Sequence, residues 1–131
     1  MPLFDAAWVK QDKGVIMTEK QMEVHKTIGE YWGSYKQAMP EIAEAYEALP
    51  GKVYKDGVVS GKNKRLMALV GALVGGCRGC ILYQTEHALT LGATVEEILE
   101  SCAVAVSLGG TMGSAQTARV VEYLMEKGLM R

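Results

Sequence analysis

The chain has almost no charge imbalance. Fourteen Lys and Arg stand against fifteen Asp and Glu in 131 residues, a formal charge of −1. A nucleic-acid-binding domain ordinarily carries a strong basic excess. That excess is missing, and so is an acidic tail. An apolar export segment is also missing, since Met1 to Lys20 carries Asp5, Lys10, Asp12 and Lys13. Long hydrophobic runs are scarce. The longest uncharged stretch, Ser101 to Ala118, approaches the length of a membrane span. Half of it is Gly, Ser, Thr or Gln, and Gly109, Gly110 and Gly113 interrupt it. A buried helix followed by a glycine turn accounts for it, and no membrane is expected. No internal repeat, low-complexity tract or alternating strand pattern between hairpin turns is present, which argues against a β-rich fold. Cysteines are few. Three of them with no export segment point to a reducing, cytoplasmic compartment, where a close pair is more often catalytic or metal-binding than structural.

What is present is an ordinary globular composition, 49% hydrophobic and 22% charged. The length suits one domain over residues 1–131. Helical punctuation organises it. Thr18-Glu19-Lys20-Gln21 fits a capping box. Met22, His25, Ile28, Trp32, Tyr35 and Met39 then recur at helical steps. Pro40 suits the first turn of a second helix, Glu41 to Ala48, which Pro50-Gly51 should stop. Residues 51–60 read as a loop with Asp56-Gly57 as its turn. Ser60 can cap a third helix bearing Leu66, Leu69, Val70 and Leu73, ended by Gly75-Gly76. A fourth runs from about Cys77 to Leu91 and stops at Gly92. Thr94-Val95-Glu96-Glu97 is another capping box. It opens a fifth helix with Val95, Ile98, Leu99, Cys102 and Val106 inward, closed by Gly109-Gly110. A sixth runs from about Ser114 to Lys127, before Gly128. The expectation is all-α: six helices, with N-terminal helices and a loop over 1–59 and a cysteine-bearing core over 60–131.

Seven of nine aromatics (Phe4, Trp8, Tyr31, Trp32, Tyr35, Tyr46 and Tyr54) precede residue 55. The N-terminal part would cap the C-terminal bundle or a neighbouring subunit; plain core filling explains the pattern equally well.

Cys77-Arg78-Gly79-Cys80 is the chemically most pointed feature. It follows Gly75-Gly76 and precedes an apolar helical run, so it falls at a helix N-terminus. Unpaired N–H groups and the positive end of the helix dipole favour a thiolate there. From Gly57 to Thr85 there is no Asp or Glu, yet Lys62, Lys64, Arg65 and Arg78 are present. A thiolate is the form that attacks disulfides. Three other readings compete. Structural zinc needs about four ligands, and only Cys102, His25 and His87 remain. Haem attachment needs His after the second Cys, where Ile81 stands. The pair is otherwise two inert core cysteines. Cys102, facing inward with Ile98 and Leu99, reads as structural.

The stretch from Lys64 to about Thr111, KRLMALVGALVGGCRGCILYQTEHALTLGATVEEILESCAVAVSLGG, resembles the carboxymuconolactone decarboxylase family and its AhpD-like alkylhydroperoxidase branch. The matching parts are the apolar helix with its Gly-rich end, the CxxC, an Ile-x-Tyr step, Ala-Leu-x-x-Gly-Ala-Thr-x-Glu-Glu-Ile, and a helix ending in Gly-Gly. The resemblance implies an all-helical fold assembled into trimers or hexamers, with no cofactor and no metal. It implies a redox pair that reduces hydroperoxides or disulfides, with Cys80 attacking and Cys77 resolving. A dithiol protein, thioredoxin-like or lipoyl-carrying, would regenerate it. The family's fuller motif adds a Glu twelve residues before the first Cys and a His four after the second, as a proton relay. Arg65 and Gln84 occupy those positions, and neither is a general base, so the relay does not carry over. His87 lies ~10 Å along the helix from Cys80, too far for direct base catalysis. It reads as a surface or interface residue, Glu86 as solvated, and His25 as a satisfied core or interface histidine. Arg65 and Arg78 would instead lower the thiol pKa by charge alone, which favours disulfide exchange over hydroperoxide turnover. Two further readings stay open. One is a lactone decarboxylase binding a carboxylate through Lys62, Lys64, Arg65 and Arg78. The other is a non-catalytic oligomeric scaffold.

Overall fold

The computed structural model describes residues 19–131, and every element in it is helical. Phe4, Trp8 and the expected cap Thr18 lie outside the described residues. The helices are α1 (Gln21–Ala38), α2 (Pro40–Val53), α3 (Gly61–Gly75), α4 (Arg78–Thr90) and α5 (Val95–Glu126).

The core is built by α3, α4 and α5. Leu69 and Leu73 from α3 meet Ile81 and Ala88 from α4, and Ile98, Cys102, Ala105, Val120 and Leu124 from α5. Each packs where its helical period turns it inward. Val106, expected inward, is 37% exposed, and Ala105 takes that place. The face runs through 98, 102 and 105, steps of four and three, and 106 falls off its edge.

Two caps fall where the side chains permit. Ser60 Oγ accepts the Asn63 N–H at 3.1 Å, opening α3. Thr94 and Glu97 form a full capping box at α5, with reciprocal bonds of 3.1 and 2.9 Å. The start of α1 differs. Lys20 is its N-cap and supplies no side-chain bond. The carboxylate of Glu126, at the far end of α5, accepts the N–H groups of Gln21 and Met22 at 2.9 and 3.0 Å. A residue some hundred positions away thus caps α1, which local spacing cannot reveal. α2 also departs from expectation: it continues through Pro50-Gly51 to Val53. The Pro50 carbonyl still accepts the Tyr54 N–H at 2.9 Å, which carries the last turn past the proline.

The fifth and sixth expected helices run together as α5. Gly110, at φ 55°, ψ −127°, breaks the helix internally. A Cβ on Gly113 would lie 2.6 Å from the Ala105 carbonyl oxygen. Residues eight apart on an unbroken helix are separated by ~12 Å along the axis, so the chain doubles back at Gly110. Arms 95–109 and 111–126 form a tight helical hairpin. By length and composition α5 is apolar enough to cross a membrane. The reversal leaves each arm short of the ~20 residues a span needs, and both arms contribute to the core.

α1 and α2 lie outside this core. Only Gln21 and Ala43 are buried in them. Trp32 stacks on Tyr35 and meets Tyr46 edge-on, joining the two helices. Tyr31, Ile42, Tyr46 and Leu49 remain more than half exposed. Simple core filling therefore does not account for Tyr31 and Tyr46.

Candidate active site

Gly76, in left-handed conformation at φ 70°, ends α3 and turns the chain into α4. Cys77 is the N-cap of α4, and its Sγ accepts the Cys80 N–H at 3.3 Å. Cys80 follows within the first turn, and the two are joined as a disulfide with Cα atoms 5.2 Å apart. Both cysteines are exposed. A helix N-terminus places the sulfurs near unpaired N–H groups, where negative charge is favoured. Gly79 lies under α1: a Cβ there would sit 3.1 Å from Ile28 Cδ1. Beside this contact a shallow depression of about 280 Å³ is lined by residues that include Val24, Ile28 and Arg78.

The two positions that depart from the family pattern bond to each other. Arg65 Nη1 donates to Gln84 Oε1 at 3.0 Å, with Arg65 7% exposed. Its guanidinium lies 3.6 Å from the Tyr54 ring centroid and 5.7 Å from that of Tyr83. Gln84 is one turn after Cys80, on the same face. The bond joins α3 to α4 one turn along from Cys80, and the pair provides a cation and an amide, neither of them a base. The family resemblance indicated both positions but not their mutual bond. Tyr54 stands in the sequence only as one of the N-terminal aromatics and Tyr83 only as part of the Ile-x-Tyr step, and no sequence signal ties either to this arginine.

His87 packs on Tyr83 with the rings tilted by 50° and their centroids 4.2 Å apart. Burial first, then the Arg65 charge, push its imidazole below the ordinary value. His25 meets Tyr123 edge-on at 6.0 Å, between α1 and α5. Glu86 is not simply solvated. Tyr123 Oη and Lys127 Nζ both donate to its Oε2, the latter at 2.8 Å, tying α4 to the end of α5. Burial raises the Glu86 pKa, but the bonds from Lys127 and Tyr123 outweigh it and hold the carboxyl low. The same desolvation and carboxylate push the Tyr123 phenol upward.

The acid-free run around the cysteines is compensated from afar. Glu19 binds Arg78, and also Arg119 at 2.6 Å. Lys62 pairs with Glu97 at 2.9 Å, and Lys64 donates to the Lys55 carbonyl. Arg78 is thus neutralised at close range. Neither Lys64 nor Arg65 has a carboxylate within ion-pair distance among the described residues, and of the two Arg65 is the buried one. Cys102 is a free, buried thiol whose pKa burial raises, which suits packing and not attack. Among the described residues no group of three or more His, Cys, Asp or Glu comes together.

The carboxymuconolactone decarboxylase family model matches residues 40–123. A solved family protein from Legionella pneumophila, lpg0406, is 30% identical, with a TM-score of 0.77 over 83% of this chain and 97% of that one. The Thermotoga maritima family protein TM1620, for which a part in the antioxidative response has been suggested, is 33% identical. It covers 64% of this chain and 87% of its own, with a TM-score of 0.60. An uncharacterized Paracoccus denitrificans protein of the cox locus is 31% identical over 72% of this chain and 85% of its own length.

Proposed function

The chain belongs to the carboxymuconolactone decarboxylase family, and from that premise we propose that it is an AhpD-like thiol–disulfide oxidoreductase working through Cys77 and Cys80. The observation that carries this reading is the exposed cysteine pair, within bridging reach at the α4 N-terminus. In the reducing direction, the Cys80 thiolate attacks a substrate disulfide, forms a mixed disulfide and expels one thiolate. Cys77 then attacks the Cys80 sulfur, closes the bridge and expels the second. Two electrons pass from the dithiol to the substrate, and the protons of the two protein thiols end on the two released thiols. A dithiol partner returns the pair to its reduced form.

Arg65 and the helix terminus supply the field that ionises the attacking thiol. Arg78, bound by Glu19, contributes less. Neither Arg65 nor Gln84 hands a proton to a leaving hydroxide, so disulfides are favoured over hydroperoxides as substrates. The 60–131 unit carries the chemistry, and helices 21–53 serve a homo-oligomeric interface through their exposed apolar side chains.

Thiol counting before and after mild hydroperoxide treatment, with the pH profile of Cys80 alkylation, tests the reading. The expected result is loss of Cys77 and Cys80, recovered by a dithiol reductant. The alkylation midpoint should lie one to two units below the free-cysteine value of ~8.5. No reversible loss, with an ordinary midpoint, contradicts it.

A further inference from the structure

Among the cations of the acid-free run, Arg65 is the buried one that has no carboxylate partner among the described residues. It is more than nine-tenths buried. Its Nη1 is spent on Gln84. Its Nε is buried with no hydrogen-bond partner, and Nη2 makes no hydrogen bond to any described residue. Nε and Nη2 together form the side edge of the guanidinium, which grips a carboxylate with two parallel bonds. Stacking on Tyr54 fixes the plane while leaving that edge unspent. A buried cation without a counter-ion is costly, and chain carboxylates answer the neighbouring cations Lys62 and Arg78. At Arg65 none does so among the described residues.

Position adds to this. Arg65 reaches the cysteine helix through Gln84, one turn from Cys80. Side chains one turn apart on a helix have Cβ atoms ~5–6 Å from each other. An anion held at the Nε–Nη2 edge would therefore lie beside the helix that carries the attacking sulfur. Tyr83, 43% exposed, has its ring centroid 5.7 Å from the guanidinium, with the tilted His87 ring against it.

We propose that the free edge of Arg65 is a carboxylate-recognition site, so that the preferred substrate of Cys80 is a small disulfide bearing a carboxylate a few bonds from its sulfur. This rests on the oxidoreductase reading and adds the substrate class. Arg65 binds the carboxylate while Cys80 takes the nearer sulfur. The exchange balances as above: the dithiol is oxidised to the Cys77–Cys80 bridge and the disulfide is reduced to two thiols.

The test uses the full-length reduced protein and two disulfides, dianionic dithiodipropionate and neutral bis(hydroxyethyl) disulfide. Each rate is divided by the rate of dithiothreitol with the same disulfide, which removes intrinsic reactivity. The wild-type anionic-to-neutral ratio should be about tenfold or more, equivalent to ~1.4 kcal/mol. Arg65→Gln should bring it to about one. A change in thiol pKa alone moves both rates together and leaves the ratio fixed. Arg65→Lys, which keeps the charge but loses the two-pronged edge, should fall between. A wild-type ratio near one overturns the carboxylate site even if Arg65→Gln fails to fold, while leaving the oxidoreductase reading intact. Failure of both disulfides to react overturns that reading and this inference with it.

Discussion

A guanidinium that is 7% exposed, without a carboxylate in reach among the described residues, burdens the fold. Stacking on Tyr54 returns ~1–2 kcal/mol at best, less than the several kcal/mol that burying an ion costs. Arg65→Met should therefore leave stability unchanged or raise it by ~1 kcal/mol, measured by urea denaturation. The same variant should move the Cys80 alkylation midpoint toward ~8.5. A destabilised variant with an unmoved midpoint would make Arg65 a packing residue only. The roles of the two sulfurs separate at this scale as well. Cys77→Ser should trap a mixed disulfide on Cys80, visible by mass spectrometry, whereas Cys80→Ser should trap little. The sequence pattern located both cysteines, with Arg65 and Gln84 pointed out only by the family resemblance. It could not show that Arg78 is neutralised by Glu19 or that Arg65 is not, because those partners are set by packing between elements far apart in sequence.

Among the elements, the α5 hairpin and the α1 cap rest on single residues. Gly113→Ala would put a Cβ 2.6 Å from the Ala105 carbonyl, and such overpacking costs ~1–3 kcal/mol. Glu126→Ala removes the cap from Gln21 and Met22, at ~1 kcal/mol, and amide exchange over the first turn of α1 should quicken. Glu86 links α4 to α5, and its native pKa is held low. Its contribution is present above the unfolded carboxylate value of ~4.3 and is lost as pH falls through the lower native value. The stability gap between wild type and Glu86→Gln should accordingly be largest near neutrality and close in acid. Most helix limits were legible, because Ser60, Thr94, Gly76, Gly92 and Gly128 act on their immediate neighbours. The α1 cap and the extension of α2 beyond Pro50 were not. The first depends on Glu126 arriving from the far end of α5, the second on backbone bonding that persists past a proline.

At the scale of the whole molecule, the 60–131 bundle encloses its own core, while α1 and α2 display Tyr31, Ile42, Tyr46 and Leu49 to solvent. Ile42, Tyr46 and Leu49, at steps of four and three, share one face of α2, and exposed apolar groups on one face mark contact surfaces. Analytical ultracentrifugation should find an oligomer, and Leu49→Glu should shift it toward monomer while the secondary structure by circular dichroism persists. The all-helical class was readable from period and punctuation. The outward facing of the N-terminal aromatics was not, since periodicity defines an apolar face without saying what covers it. The proposed activity requires one property, two sulfurs that open and close reversibly. Its most direct test is mass spectrometry of the reduced chain equilibrated with a disulfide and then digested under acid. The predicted result is loss of two hydrogens, confined to the peptide holding Cys77 and Cys80 and reversed by dithiothreitol, with Cys102 untouched. A chain that keeps those hydrogens, or loses thiols only at Cys102, would contradict it.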